Sequence, residues 1–274
     1  MTSPIYNHIS LDINRLSAAL PHALLLDGPT GIGLLTVATH IAGKQLASIV
    51  QPTDRTGNID TIKGSIKATQ IRNLYDATKG KTLSRQIFII DDADKMVAAA
   101  QHSFLKLLEE PAPNVHFILT SHHSNKLLAT VLSRVQRHTL RTISTEESRA
   151  LLTSLGINDE KQMSQLLFLA SGRPAELIRL ASSSVEFTGR IHSITDARDL
   201  LQGDALAKLS VIVKYQNDRA GALQLISAAQ TILAHSIKNN EPQALIATAS
   251  QLATAYDRIA ANGNVKLQLA TVVV

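Results

Sequence analysis

Gly28, Gly31 and Gly33 punctuate the stretch ALLLDGPTGIGLLT at residues 23–36. Three glycines between an apolar run and a helical pattern suit a backbone that wraps an anion, with the helix N-terminus supplying free N–H groups and partial positive charge. Gly28 and Gly33 have the spacing of the G-x-x-x-x-G-K-[ST] phosphate loop, but Leu34 and Leu35 stand where that pattern needs lysine and a hydroxyl. The group that reaches the β/γ-phosphates and the group that holds Mg²⁺ are therefore both missing. Asp91 and Asp92 follow the apolar run QIFII. An acid at the end of a buried strand sits where open α/β sheets place their ligand crevice, and in a nucleotide-hydrolysing domain it would help to hold Mg²⁺. A water-polarising glutamate would come next; Asp92 is one methylene shorter and its carboxylate falls about 1.5 Å short. The alternative is that Asp91, Asp92 and Asp94 only cap the following helix. Thr120 and Ser121 end the next apolar run, with Ser121 at a γ-phosphate-sensing position or in ordinary turn chemistry. Ser133 and Arg134 follow a short apolar helix; a guanidinium on a rigid edge suits bidentate recognition of phosphate oxygens, although most surface arginines are only solvated and the residues alone do not single this one out.

These residues need particular elements to position them. The pattern predicts a helix over 8–20, stopped by Pro21, then a strand at 23–26 and a helix over 34–47. A loop follows over Gln51–Asn58, then a helix over 69–78. Apolar runs at 86–90 and 116–119 read as strands buried on both faces. A helix over 98–110 is closed by Pro111 and Pro113, and a short helix over 125–132 leads into Ser133. The alternation indicates an α/β fold with a doubly wound parallel sheet. Beyond residue 143 the strand signals stop. Ser144 and Glu147 form a capping-box pattern, and helices are expected over 145–154, 159–170 and 174–183. After Gly189, read as a hinge, a helical domain is expected over 190–201, 204–215, 218–238, 241–261 and 265–273, with Leu223, Ile226, Ile232 and Leu233 in bundle stripes.

Composition narrows the classes. The 274 residues suggest two or three domains. The absence of cysteine excludes a disulfide framework and a cysteine-based zinc site. No apolar run has the length of a bilayer span, and no secretion leader is evident, so a cytoplasmic protein is expected. The net charge of +5 lies in the first half, where residues 1–143 carry 15 Lys/Arg against 10 Asp/Glu. That balance is compatible with a nearby polyanion and equally with a solvated surface. Lys79, Lys81, Arg85 and Lys106 could touch backbone phosphates, as a weak and salt-sensitive contribution. With 3% aromatics and no Trp, stacking on unpaired bases is not expected.

From Pro21 to Gln136 the chain resembles the bacterial DNA polymerase III clamp-loader family, within the AAA+ ATPases, and its delta-prime branch in particular. The resemblance rests on PHALLLDGPTGIG (21–33), IFIIDDADKM (87–96), SFLKLLEEPAPNVHFIL (103–119) and LLATVLSRVQ (127–136), with ANGNVKLQLATVVV (261–274) resembling the last collar helix. It implies an AAA+-like α/β domain over 1–143 with a degenerate phosphate loop, a helical lid over 144–188 and an all-helical collar over 189–274 that assembles subunits into a hetero-pentameric ring. It implies a non-hydrolysing stator that offers Arg134, preceded by Ser133, in trans to a neighbour's ATP. Gly28, Gly31, Gly33, Asp91, Asp92 and Ser121 would then be vestiges of a nucleotide site, with no cofactor and no metal of the chain's own. The family's second sensor, an arginine in G-x-x-R, corresponds to Ala175 in the run Gly172–Arg173–Pro174–Ala175. The implied partners are gamma/tau-type ATPases, delta and, through the complex, a sliding clamp and primed DNA, with no membrane. Two other readings stay open at this point. The chain could be an AAA+ subunit that binds ATP, and slowly hydrolyses it, through an atypical loop. It could also be a stand-alone DNA-binding protein.

Overall fold

The computed structural model describes residues 16–79, 84–237 and 243–273. They form two compact units. The first is built from the chain up to Asp159 together with Ala170–Arg179, the second from Glu160–Leu169 and Leu180 onwards.

The first unit is organised by a five-stranded sheet in the order β2-β3-β4-β1-β5, and all four strand pairings are parallel. Its strands are β1 (Ala23–Asp27), β2 (Leu46–Val50), β3 (Gln86–Ile90), β4 (Val115–Ser121) and β5 (Gln136–Thr139). Between them run α1 (Leu34–Ala42), α2 (Ala68–Thr78), α3 (Ala98–Glu109) and α4 (Ala129–Leu132). β1, β3 and β4 are buried on both faces, which is why they read as continuous apolar runs. Successive residues serve opposite layers. Leu24, Leu26, Ile87, Ile89 and Ile118 pack with Val37, Ala38 and Ile41 of α1. Leu25, Phe88, Ile90 and Phe117 pack with Ile71 and Leu74 of α2, Phe104 and Leu107 of α3, and Val131 of α4. The sheet is thus covered on both faces by helices, the doubly wound arrangement expected. The rings of Phe104 and Phe117 meet edge-to-face with centroids 5.4 Å apart.

Two strands depart from the sequence reading. The helix expected over 34–47 ends at Ala42, because Gly43 takes φ 50°, and residues 46–50 become β2. Gln136–Thr139, to which the sequence pattern assigns no element, is β5. Both are edge strands with exposed residues, so neither carries the continuous apolar signal of a central strand. Residues 51–66 fold as a closed excursion in which Thr53 bridges to Ile59 and Ser65. Leu16–Ala18 are helical; the rest of the helix expected over 8–20 lies outside the described residues.

Beyond β5, α5 (Thr145–Ser154), α6 (Glu160–Ala170) and α7 (Pro174–Ser182) match the expected spans within a residue. At α5 the Glu147 N–H donates to Ser144 Oγ at 3.2 Å, and the Ser144 N–H donates to Glu147 Oε2 at 2.7 Å, as the capping box requires. The stretch 144–188 contributes to both units.

The second unit is helical throughout among the described residues. It contains α8 (Ser184–Gln202), α9 (Ala205–Tyr215), α10 (Arg219–Ile237), α11 (Gln243–Ala260) and α12 (Val265–Val273). Of the expected stripe, Ile226, Ile232 and Leu233 are buried, beside Leu225, Ala229, Leu252 and Ile259, while Leu223 is half-buried. Gly189 is not a hinge: it lies inside the continuous helix α8. Asp196 of α8 accepts hydrogen bonds at 2.6 Å from both Lys214 Nζ and Tyr215 Oη of α9. Burial and then this carboxylate push the Tyr215 hydroxyl well above its ordinary range.

Candidate functional site

The parallel register brings the ends of three strands together. Leu26 and Asp27 of β1 lie beside Thr120 and Ser121 of β4, and Ile90 of β3 lies beside Leu119. The glycine turn, Asp91–Asp92 and Thr120–Ser121 therefore share the carboxyl edge of the sheet, where an open α/β sheet places its crevice. The Gly28 N–H donates to the Ser121 carbonyl at 3.4 Å.

Each acid at this edge is engaged from within the chain. Asp91 is buried; its Oδ1 accepts from Thr120 Oγ1 at 2.7 Å and its Oδ2 from Gln51 Nε2 at 3.0 Å. Asp92 sits at φ 52°, a left-handed conformation that turns the chain sharply after β3. Its backbone N–H donates to Thr120 Oγ1 at 2.9 Å. Its carboxylate pairs with Lys95 at 2.9 Å, and His122 Nε2 stands 3.9 Å away. The Asp94 Oδ1 accepts from Ser121 Oγ at 2.8 Å and from the His122 N–H at 3.2 Å. The helix-capping alternative does not describe this network: Asp92 makes no side-chain cap to the 3₁₀ turn that follows, and Asp91 and Asp94 bond to β4 and its following turn. Ser121, fully buried, is turned to Asp94.

The glycine turn keeps its backbone form. Gly31 has φ 85° and Gly33 has φ 100°, both in the region that favours glycine. Gly33 is the N-cap of α1 and, having no side chain, makes no side-chain cap. Gly28 is required for a different reason: a Cβ there would lie 2.9 Å from the Leu140 carbonyl oxygen. Leu34, at the lysine position, is buried in the apolar layer under α1, and Leu35 packs against the same layer.

Several partners at this edge carry no motif. His122 Nδ1 lies 2.9 Å from the Gly28 carbonyl oxygen, so the ring links the glycine turn to the acid pair. The Glu176 N–H, from the first turn of α7, donates to the Gly31 carbonyl at 2.9 Å, and Arg173 Nη1 donates to the Thr30 carbonyl at 3.3 Å. Lys95 is legible as the residue three beyond Asp92 in a one-turn helix; His122 and Glu176 have no local signal. Ala175 makes the position of the expected second sensor apolar.

Asp27 is also new. It is buried, accepts from Arg137 Nε at 3.0 Å and from Thr139 Oγ1 at 2.7 Å, and forms a second contact with Arg137 through Nη2. Burial acts to raise its pKa, but the hydrogen bonds and the guanidinium charge outweigh it and hold the carboxyl below its ordinary 3.8. The pair joins edge strand β5 to β1 immediately before the glycine turn.

Ser133 and Arg134 stand apart from the acid network. Ser133 caps the end of α4 and donates to the Thr130 carbonyl at 3.1 Å. Arg134 Nη1 donates to the same carbonyl at 3.0 Å and to Ser133 Oγ at 3.3 Å, while Nη2 pairs with Glu109 at 2.9 Å. Both Arg134 and Glu109 are exposed, and exposed pairs of this kind are worth about 0–1 kcal/mol. The guanidinium is therefore held near the surface by contacts that cost little to exchange. Of the basic residues considered for backbone phosphates, Lys79 pairs with Asp76 and Arg85 donates to the Ser17 carbonyl. Lys106 is exposed, and Lys81 lies outside the described residues.

Comparison with known proteins adds to this geometry. A family described as DNA polymerase III, delta subunit, matches residues 48–144. The chain is 28% identical over 195 residues to DNA polymerase III subunit delta' of Bacillus subtilis (strain 168), covering 65% of this chain and 57% of that protein. It is 25% identical over 220 residues to subunit tau of the same organism, covering 72% of this chain and 38% of tau. The matches thus span less than two thirds of these relatives' lengths. Among solved structures, a DNA polymerase III gamma subunit-related protein from Thermotoga maritima superposes with a TM-score of 0.59 at 18% identity, covering 95% of this chain and 97% of that one. That likeness concerns the fold alone: a parallel sheet with helices, followed by a helical C-terminal region.

Proposed function

We propose that this chain, a member of the DNA polymerase III clamp-loader family as its family match and delta' relatives support, is the non-hydrolysing stator of the loader. In this reading it works in the cytoplasm during DNA replication and completes the ATP site of a neighbouring gamma/tau-type subunit by offering Arg134 in trans. Delta, the sliding clamp and primed DNA are reached through the same complex. An α/β domain over 1–143, a lid over 144–188 and a collar from 189 are part of the reading.

The observation that carries it is a contrast within one unit. The chain's own side chains engage the acids at the carboxyl edge, whereas Arg134 stands exposed at the end of α4 with Ser133 orienting it. A triphosphate with its metal ion would meet residues that do not suit it: Leu34 faces the apolar layer, Asp92 is paired with Lys95, and Asp91 is spent on Thr120 and Gln51. No step of hydrolysis is therefore assigned to this chain's own glycine turn. What the chain supplies is a positioned cation. A planar, permanently charged guanidinium binds phosphoryl oxygens bidentately and stabilises charge that develops in transfer. Such fingers are worth about 10³- to 10⁵-fold at the site they serve.

The test is Arg134→Ala, beside Arg134→Lys, in the reconstituted loader. The expected result is unchanged folding and assembly, with DNA-stimulated ATP hydrolysis and clamp placement lowered and only partly restored by lysine. Hydrolysis equal to that of the native complex would remove Arg134 from the mechanism. A second reading, passive nucleotide binding by the glycine turn, is favoured by the positive φ of Gly31 and Gly33. Titration of a fluorescent ATP analogue with Mg²⁺ into the native chain separates the two.

A further inference from the structure

Leu34 and Leu35, standing in place of the lysine and hydroxyl of the nucleotide pattern, do not by themselves close a phosphate site, because the glycine turn keeps the positive φ of Gly31 and Gly33. What stands against that backbone is α7. The stretch Ala170–Arg179 belongs to the same compact unit as the glycine turn. The Glu176 N–H occupies the Gly31 carbonyl at 2.9 Å, and the Glu176 side chain is buried, with the residue 9% exposed. A Cβ placed on Gly31 would lie 2.9 Å from Glu176 Cβ and 3.7 Å from Oε2. The carboxylate is fixed by a fork of two bonds: Arg179 Nε donates to Oε2 at 3.0 Å and Nη2 to Oε1 at 2.9 Å. Arg173 reaches past it to the Thr30 carbonyl.

An anion-binding turn depends on N–H groups aimed at open space with no competing negative charge. Here the middle glycine is contacted by the stem of a glutamate whose oxygens lie beside the turn. That glutamate is held in one orientation by its own arginine. The side chain takes up space beside the turn, and its carboxylate, paired with Arg179, offers a phosphate only acceptors.

We infer that Glu176, oriented by Arg179, is the group that excludes a nucleoside triphosphate from the glycine turn, so that restoring the missing lysine and hydroxyl is insufficient for binding. This rests on the reading of the chain as a subunit that does not use nucleotide itself, and it names the residue responsible. Glu176 also latches α7 to the turn.

The experiment titrates a fluorescent ATP analogue with Mg²⁺ into the full-length chain in four forms: native, Glu176→Ala, Leu34→Lys/Leu35→Thr, and the three substitutions together. Folding of each is followed by circular dichroism and thermal melting. The expected result is measurable binding only with all three substitutions, at least tenfold tighter than with Leu34→Lys/Leu35→Thr. Glu176→Ser, which removes most of the bulk and the charge, replaces Glu176→Ala if the latter fails to fold. Equal binding by the double and triple forms would overturn the role of Glu176 while leaving the stator reading untouched. So would a folded triple form that binds nothing. Binding by the native chain would overturn the exclusion itself; Arg134→Ala in the assembled loader would still judge the stator role separately.

Discussion

Asp27 is the residue whose environment has the clearest consequence in solution. Its carboxyl is buried, yet Arg137 and Thr139 hold it below the ordinary 3.8. A depressed acid stabilises the fold above its unfolded pKa and loses that contribution as pH falls through the folded value. Asp27→Asn should lower stability by roughly 1–3 kcal/mol at neutral pH, the scale of hydrogen bonds to a charged group. The gap to the native chain should narrow below the ordinary 3.8. Urea unfolding of both forms across that range measures it, and a gap independent of pH would mean that the carboxylate charge contributes nothing. Arg134 presents the opposite case. Its partners Glu109, Thr130 and Ser133 keep it near the surface at little cost, so Arg134→Ala should leave the melting temperature within about 2 °C, and its effect should be confined to the assembled loader.

At the scale of elements, the central strands and the long helices follow directly from pattern. β1, β3 and β4 are apolar at every inner position because both faces are covered. The edges are different, since β2 and β5 need satisfy only one neighbour and carry polar residues such as Ser48 and Arg137. Their strand state comes from hydrogen bonding to β3 and β1. Gly189 shows the converse error, a glycine read as a break that a helix simply runs through. It has no positive φ, and a Cβ there would meet nothing within 4 Å. Gly189→Ala should therefore raise stability by about 0.5–1 kcal/mol through reduced backbone entropy of the unfolded chain. A drop in melting temperature would show that the residue serves some purpose beyond the helix.

At the scale of the whole molecule, the second unit carries a feature its own core does not use. Leu206, Leu209 and Val213 of α9 are 74%, 58% and 55% exposed. Their spacing of three and four residues puts them on one helix face. Apolar side chains grouped on a surface mark contact sites, and in the proposed role the occupant is the helical C-terminal region of an adjoining loader subunit. Leu206→Glu/Leu209→Glu should leave the isolated chain folded and reduce its co-elution with the other subunits in size-exclusion chromatography. Full co-elution would place the ring contact elsewhere. Among the described residues no helix is long and apolar enough to cross a membrane.

Local chemistry determined much of this protein. The alternation of apolar runs and helical spacings dictates the covered parallel sheet, the Ser144 capping box dictates where α5 begins, and the glycines dictate the turn after β1. The candidate residues Gly28, Asp91, Asp92 and Ser121 were legible because strand ends in a parallel sheet converge on one edge. Only the tertiary structure decided what those residues touch. Thr120 and Gln51 are 29 and 40 residues from Asp91, and Glu176 is 145 residues beyond Gly31. Contacts at such separations are set by sheet order and helix packing, which a local pattern does not encode. For the same reason the sequence marks Arg134 as a cation on an edge, while its pairing with Glu109, 25 residues away, is set by tertiary structure.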